Sequence, residues 1–276
     1  MNHAILHPAA PADRLPELRP AVDRRPIVTP FARALSILSA FTPEDRWLCN
    51  SQFAERTGLP ASTVTRMTRT LVTLGYLRCS ADTHRFSLSP SALTLGYRAA
   101  ADTEIHRVAN LRMSRFAEQH HVNVHLNSRD RLDLVVIDSC RTSALPASLQ
   151  PGIGTRLMLT SSAAGWALLA GLPEAERDYL LRSAERRPQG RTKPTRWRSS
   201  EAIGQIRENG FCVAPGESGQ PMTVVAAPIH LPGQAAPLAV SCMGPAMLVG
   251  QTRGMRELGP ALVRMAQDIQ CAKGPA

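Results

Sequence analysis

Apolar residues recur at intervals of three and four in three successive segments after residue 30, and this spacing predicts three helices. The first segment is expected to end at Pro43, because proline cannot continue a helix. Its apolar face consists of Phe31, Ala34, Leu35, Leu38 and Phe41. In the second segment Ser51 is the expected N-cap, Phe53 and Ala54 form the apolar face, and Gly58 suits a left-handed stop.

A third helix and a hairpin complete this unit. Residues 61–74 place four apolar side chains on one face, at Val64, Met67, Leu71 and Leu74, and Gly75 closes the helix. Two short apolar runs, 76–79 and 85–88, then flank a polar turn, which predicts a β-hairpin. The order of helix, helix, turn, helix and hairpin is that of a winged helix-turn-helix.

The rest of the chain alternates strands with helices, which indicates an α+β or α/β unit with a mixed sheet. Helical spacing covers residues 91–120, with a break near residues 102 and 103. Strands are expected at 122–126, 134–137, 222–229 and 238–243, with a turn at 129–131. Helices are expected at 161–171, 174–184, 202–209 and 251–272. These patterns divide the chain into four parts: a proline-rich arm (1–30), a winged helix-turn-helix (31–90), a linker helix (91–103) and a second domain (104–272).

Composition and charge narrow the class of protein. The net charge of +10 and the pI near 10.2 suggest a polyanionic partner, with nucleic acid as the first candidate. The longest strongly apolar stretch, 163–172, is half of the roughly 20 residues that a membrane span needs. No secretory signal is recognisable at the N-terminus, and the six cysteines form no Cys-x-x-Cys pair. We therefore expect reduced thiols, a cytoplasmic location and no contact with a membrane.

The charge is spread unevenly along the chain. Residues 31–102 hold eight basic and five acidic side chains, whereas residues 103–276 hold twenty and fourteen. Seven of the basic residues lie between 182 and 198, and residues 185–198 are expected to form a solvated loop. Most of the positive surplus therefore lies outside the helix-turn-helix.

The third helix is the candidate for the major groove of DNA, which admits one α-helix. Short hydroxyl groups and arginines occupy its polar face, and a histidine and an arginine lie on the hairpin. The candidate DNA-binding residues are Ser62, Thr63, Thr65, Arg66, Arg69, His84 and Arg85. A solvated helix face is the alternative, and the order of the surrounding elements favours DNA binding.

Several segments of the chain resemble the IclR family of bacterial transcriptional regulators. The most specific is Thr57-Gly58-Leu59-Pro60-Ala61-Ser62-Thr63-Val64. Further similar segments are 31–38, 71–77, 154–157, 163–170, 206–211 and 225–229, so the resemblance covers residues 31–272. It implies an α+β protein with an N-terminal winged helix-turn-helix, a linker helix and a GAF-like α/β effector-binding domain. It also implies double-stranded operator DNA, a small-molecule effector and a second copy of the chain as partners, in a dimer or tetramer.

The resemblance assigns an effector pocket to the start of the helix at residue 163. Hydroxyl residues precede a helix of small residues there, and backbone N–H groups at a helix start favour an anion such as a carboxylate. Carried over by position, the pocket residues are Pro146, Leu149, Leu157, Ala163, Ala164, Met222, Val224 and Ser241. The family often has histidine at Thr160, lysine at Trp166 and an acidic residue at Ala214. These departures point to a more apolar or aromatic acid.

Enzyme function is the main alternative, followed by a DNA-binding protein without an effector. The sequence has no Gly-x-Ser-x-Gly elbow and no phosphate-binding loop. His120, His121 and His125 are interpreted as solvated histidines and Cys242 as a packed thiol. We therefore expect no catalytic residues, no metal site and no cofactor.

Overall fold

A computed structural model gives the structure of residues 28–42, 45–101, 104–146, 151–186, 196–216, 221–231 and 236–271. Contacts between residues divide the chain near residue 102 into two compact units, which we describe separately. The predicted arm lies outside the described residues up to residue 27. Among the helices that are described, none is both long and apolar enough to cross a membrane.

The described residues of the first unit form four helices and a two-stranded sheet. Helices α1 (Thr29–Leu38), α2 (Asn50–Thr57) and α3 (Ala61–Thr73) are followed by strands β1 (Leu77–Cys79) and β2 (Phe86–Leu88) and by α4 (Pro90–Ala101). The strands pair antiparallel, with Leu77 opposite Leu88. The expected winged helix-turn-helix is therefore present.

The core of this unit differs from the predicted one at helix α1. Ile37 and Ala40 are buried, whereas Phe31 and Leu35 are 66% and 47% exposed. The apolar residues of this segment span more than one helix face, so spacing alone leaves the rotation of the helix undecided. Helix α1 also ends at Leu38, before Pro43, and Phe41 reaches the core from the following loop, where its ring lies 5.4 Å from that of Phe53.

Local signals also determine where the next two helices begin and end. Cys49, not Ser51, is the N-cap of α2, because Gln52 Oε1 accepts a hydrogen bond from the Cys49 backbone N–H at 3.0 Å. Gly58 adopts a left-handed φ of 70°, as expected from its position at the helix end. In α3 the residues Val64 and Leu71 are buried, but Leu74 is 62% exposed.

The second unit is built on a six-stranded sheet with the strand order β5-β4-β3-β8-β7-β6. Its strands are β3 (Asn123–Asp130), β4 (Asp133–Cys140), β5 (Arg156–Met158), β6 (Cys212–Pro215), β7 (Met222–Ile229) and β8 (Leu238–Pro245). Every pairing is antiparallel, so the expectation of a mixed sheet is wrong. Strands that are consecutive along the chain, such as β3 and β4, can pair directly through short turns.

Helices cover the two faces of this sheet. They are α5 (Glu104–His120), α6 (Ala163–Ala170), α7 (Glu174–Arg186), α8 (Arg196–Asn209), α9 (Ala246–Val249), α10 (Gln251–Arg253) and α11 (Gly259–Gln270), with a π-helical turn at Gly254–Leu258. Helices α5 and α11 pack on one face, where Val124, Leu126 and Val240 belong to the main core. Helix α6 packs on the other face and is covered by α8.

Several predicted boundaries in this unit were wrong. The short edge strands β5 and β6 were not predicted, because three or four residues give little periodicity. Residues 129 and 130 belong to β3, and the turn is at residues 131 and 132. Helix α7 extends to Arg186 and α8 begins at Arg196, so both ends of the predicted loop 185–198 are helical, and residues 187–195 lie outside the description. The predicted closing helix 251–272 is interrupted by the π-helical turn.

Candidate DNA-reading surface and effector pocket

Helix α3 exposes a polar face on the surface of the first unit. Ser62, Thr65, Arg66 and Arg69 are exposed and Thr63 is half-buried. The opposite face buries Val64, Thr68 and Leu71 against the core, so packing fixes which side of the helix faces outward. All five sequence-predicted residues of α3 lie on or beside this outer face.

An asparagine that the sequence analysis did not single out links α2 to this face. Asn50, the first residue of α2, donates from Nδ2 to Thr65 Oγ1 at 3.3 Å. The Thr65 hydroxyl in turn donates to the Ala61 carbonyl at 3.0 Å. Thr65 is therefore held by two contacts, whereas Arg66 projects from the next position.

Backbone hydrogen bonds hold the β1–β2 hairpin beside the start of α2. Leu48 exchanges two backbone hydrogen bonds with Phe86, at 2.9 and 2.8 Å, which adds a bridge to the edge of β2. His84 has a left-handed φ of 50° in the turn, and both His84 and Arg85 are exposed. The Ser51 hydroxyl and the Gln52 backbone lower the pKa of the Cys49 thiol, and the charge of Arg85 adds to this effect. The charge of Arg85 on the hairpin therefore acts electrostatically on the start of α2.

An ion pair fixes α2 against the loop that follows α1. Arg56 contacts Asp45 through both terminal nitrogens, one of them 3.0 Å from Oδ1, and it also donates to the Ala40 carbonyl at 2.9 Å. Partial burial acts to raise the pKa of Asp45, but the bonds from Arg56 and Thr42 outweigh it and hold the pKa below its usual value. The ion pair and the bond to Ala40 therefore hold α2 against the loop that follows α1.

The start of helix α6 is the candidate anion site of the second unit. Ser162 caps the helix by accepting from the Gly165 N–H at 3.1 Å. The N–H groups of Ala163 and Ala164 have no acceptor within the helix, because they belong to its first turn. The preceding loop is held by two donors to the Thr160 carbonyl, Trp166 Nε1 at 2.9 Å and Ser199 Oγ at 3.0 Å. The sequence departures at Thr160 and Trp166 therefore contact each other.

The segment that leads into α6 touches both edges of the sheet. The Leu159 N–H donates to the Leu132 carbonyl at 3.4 Å, beside β4 and β5, and the Ala163 carbonyl accepts from Cys212 Sγ on β6 at 3.8 Å. Four residues span at most about 14 Å, whereas the edges of a flat six-stranded sheet lie about 24 Å apart. The sheet must therefore curl around this segment, and its concave face lies under the start of α6.

Register decides which side chains form this concave face. Cys212 pairs with Ala226, Ala226 with Ser241, and Ser241 with His125. Because directly paired residues share a face, this row lies on the side of α6. Ser241, Met222 and Val224 share this side with the half-buried Leu157 of β5. Of the other sequence-predicted pocket residues, Pro146 is exposed, and Leu149 lies outside the described residues.

His125 is fully enclosed on the concave face, so its interpretation as a solvated histidine is wrong. Only 2% of its surface is exposed, and burial lowers its pKa to about 4. The imidazole is therefore neutral at pH 7. The alternation of Val122 to Leu126 predicted a strand with one buried face. It did not show that both faces are covered, so the burial of His125 was missed.

Asn127, two residues further along β3, was also not predicted as a site residue. It is fully buried and donates from Nδ2 to the Ala239 carbonyl at 3.1 Å and to Ser241 Oγ at 3.2 Å. Cys212 and Cys242, by contrast, behave as packed thiols, since burial raises the pKa of each to about 12. Among the described residues, no group of three or more His, Cys, Asp or Glu side chains could hold a metal ion.

Comparison with known proteins decides the family. Two family models match this chain. The one for the bacterial transcriptional regulator IclR C-terminal domain matches residues 97–271, and the one for the IclR helix-turn-helix domain matches residues 31–79. The chain belongs to the IclR family. It is thus a DNA-binding transcriptional regulator with its helix-turn-helix in the first unit.

Named relatives of this IclR-family chain are regulators of transcription. It is 30% identical to the HTH-type transcriptional regulator TsaQ1/TsaQ2 of Comamonas testosteroni, over 88% of each chain. It is 29% identical to the Pca regulon regulatory protein of Pseudomonas putida, over 80% of this chain and 75% of the relative.

Solved structures share the fold. An IclR family transcriptional regulator from Brucella abortus superposes with a TM-score of 0.74 at 32% identity, over 91% of this chain and 94% of that one. An IclR homologue from Microbacterium hydrocarbonoxydans, solved in complex with 4-hydroxybenzoate, gives a TM-score of 0.68 at 22% identity, over 87% and 97% of the two chains.

Proposed function

We propose that a small organic or aromatic acid, bound at the start of α6, controls the binding of this regulator to its operator. The observation that carries the proposal is the pair of N–H groups at Ala163 and Ala164, which have no acceptor within the helix, at a capped and buried helix start beside the concave sheet face. An enclosed helix start of this kind favours a carboxylate. The complex of an IclR homologue with 4-hydroxybenzoate supports this class of ligand.

The DNA contacts come from α3 and the hairpin. In this proposal Ser62, Thr63, Thr65, Arg66 and Arg69 face the major groove, and His84 and Arg85 contact the backbone or the minor groove. The protein acts as a cytoplasmic homodimer or homotetramer. One recognition helix makes too few contacts to select a specific operator, and two DNA-binding domains in one oligomer increase the number of contacts. The effector changes the affinity for operator DNA because it binds more tightly to one arrangement of the DNA-binding domains than to another.

In the described part of the second unit, neither alternative has an observation in its favour. An enzyme needs an activated nucleophile or an acid–base pair, and the buried thiols of Cys212 and Cys242 have raised pKa values instead. A regulator without an effector would not need the buried polar side chains on the concave face. We therefore assign the second unit to binding rather than to catalysis.

Ala163→Asp tests the proposal. The new carboxylate occupies the place assigned to the ligand's carboxylate and repels it, so the variant should bind operator DNA normally but no longer respond to the effector. Ala246→Asp, which adds the same charge at the start of α9, is the matched control and should respond like the wild type.

The measurement has two parts. Aromatic and aliphatic acids are first screened by thermal shift with the full-length protein. Each acid that stabilises the protein is then added to a fluorescence-anisotropy titration of DNA from the protein's own promoter region. A normal response of Ala163→Asp would contradict the pocket, and the absence of a response by the wild type to every acid would contradict control by an acid.

A further inference from the structure

Polar side chains on one face of two neighbouring strands have buried atoms without a hydrogen-bond partner. Among the described residues these atoms are Asn123 Nδ2, His125 Nε2, Asn127 Oδ1 and Arg129 Nε on β3, and Ser139 Oγ on β4. Asn123, His125 and Asn127 are at least 98% buried. Buried polar atoms in folded proteins nearly always have a hydrogen-bond partner, so several unpartnered ones on one surface require an explanation.

The strand register places this group, which we call the polar band, on the concave face. His125 pairs with Ser241 on β8 and with Ser139 on β4. Leu126 pairs with Val240, and both belong to the core under α5 and α11. Because successive side chains of a strand alternate between faces, His125 and Asn127 lie on the opposite side, where α6 begins.

Hydrogen bonds fix the orientation of the Asn127 amide. Its Nδ2 donates to the Ala239 carbonyl, which can only accept, so the nitrogen and oxygen of the amide cannot be exchanged. The amide oxygen is therefore held as an acceptor on the concave face. It needs a donor that the described part of the chain does not supply.

The neighbouring imidazole complements this acceptor. His125 and Asn127 are separated by two residues of a strand, or about 7 Å between Cα atoms. The neutral imidazole carries one donor and one acceptor nitrogen. A hydroxyl group both donates and accepts, so it can donate to Asn127 Oδ1 and accept from His125 Nε2 in the tautomer that carries its proton there. A carboxylate cannot donate to Asn127 Oδ1, and Arg129, the cation two residues further along this face, is already paired with Glu176 at 3.0 Å.

We propose that the polar band recognises an uncharged hydroxyl group of the effector, with Asn127 as the main acceptor. This inference rests on the proposed function and narrows the ligand to a hydroxylated carboxylic acid: the carboxylate lies at the start of α6 and the hydroxyl at β3. The polar atoms are sealed from solvent, so the ligand reaches them only when the elements over the concave face shift. That requirement couples occupancy of the pocket to the packing of α6.

The test compares hydroxylated acids with their analogues that lack the hydroxyl. Full-length protein is titrated calorimetrically with 4-hydroxybenzoate, 3-hydroxybenzoate and benzoate. We expect at least one hydroxylated acid to bind about tenfold or more tightly than benzoate, because a site built around a hydroxyl leaves polar groups unpaired without it. Equal affinities, or no binding of either hydroxylated acid, would overturn the inference.

Variants of β3 locate the effect. Asn127→Leu should bind the hydroxylated acid no more tightly than benzoate, whereas Ser128→Ala, on the opposite face of the same strand, should keep the wild-type preference. Asn127→Ala is a second variant if the leucine does not fit, and circular dichroism checks that each variant is folded. A preference that survives both Asn127 variants would overturn the role of the band.

The outcome is separable from that of the proposed function. Binding to promoter DNA is measured in the same samples. If acids without a hydroxyl bind as tightly as the hydroxylated acids and change DNA binding, the proposed function stands and the role of the polar band is wrong. If no acid changes DNA binding, it is the proposed function that fails.

Discussion

At the scale of single residues, His125 is a buried imidazole whose charge state depends on folding. In the folded chain its pKa is lowered to about 4 by burial, whereas an exposed histidine titrates near 6.5. Between these two values the unfolded chain binds more protons than the folded chain. Lowering the pH through this window therefore stabilises the unfolded state.

We expect the free energy of unfolding of the second unit to fall as the pH is lowered from about 6.5 to about 4, by roughly 3 kcal/mol from this residue alone. His125→Gln should remove that part of the pH dependence. Urea unfolding followed at several pH values measures it, and His230→Gln, which changes an exposed histidine, is the control. An unchanged pH dependence in His125→Gln would contradict the assignment.

Single residues also show how local sequence signals succeed or fail. Gly58 ends α2 in the predicted left-handed conformation, since the preference belongs to the residue itself. Cys49 replaces Ser51 as the cap because Gln52, three residues on, completes the capping box from its side chain. His125 was misjudged because its burial depends on α6, which comes about forty residues later.

At the scale of elements, helix α6 is held in place by close backbone contact. A Cβ atom added at Gly165 would lie 2.1 Å from the Leu159 carbonyl oxygen. The glycine is therefore explained by packing of the helix on the loop that precedes it. The same contact helps to fix the position of the Ala163 and Ala164 N–H groups.

Gly165→Ala should destabilise the second unit by about 1–3 kcal/mol or more, because the obstacle is backbone and cannot rotate away. Gly204→Ala in α8 is the matched control, since a Cβ there meets no atom within 4 Å. It should stabilise the protein by about 0.5–1 kcal/mol through the helix propensity of alanine. Thermal and urea unfolding measure both variants, and equal effects of the two would contradict this explanation.

The sequence predicted the long elements better than the short ones. Some elements have enough residues, or clear enough turns, for the spacing of apolar residues to predict them. They are helix α3, the hairpin β1–β2 and the strands β7 and β8. The edge strands β5 and β6 exist because neighbouring strands extend the sheet to them. Their few residues do not carry an independent signal.

At the scale of the whole molecule, the positive charge and the reading surface do not coincide. Residues 31–102 carry a surplus of three positive charges, and the region after them carries six. Net charge alone would therefore point away from the proposed DNA contacts. The position of Arg66 on the exposed face of α3 is the stronger indication.

Arg66→Ala should weaken binding to operator DNA by about 1–3 kcal/mol if the arginine contacts a base, and it should reduce discrimination against random DNA. Arg207→Ala removes the same charge from α8 in the second unit and should leave discrimination unchanged. Fluorescence anisotropy with operator and random duplexes at a fixed salt concentration measures both. An unchanged ratio of affinities in Arg66→Ala would remove this residue from base recognition.

The sequence by itself determined the two-part organisation, the helix-turn-helix and the family, because these depend on local spacing, on turn residues and on short specific motifs. Only the tertiary structure decided the rotation of α1, the antiparallel curled sheet and the polar band on β3. These features arise when segments far apart in the chain meet: Leu159 and Ala163 bridge the two edges of the sheet, and His125 and Asn127 lie beneath them. Burial of a polar side chain is a property of its neighbours, which its own segment does not encode.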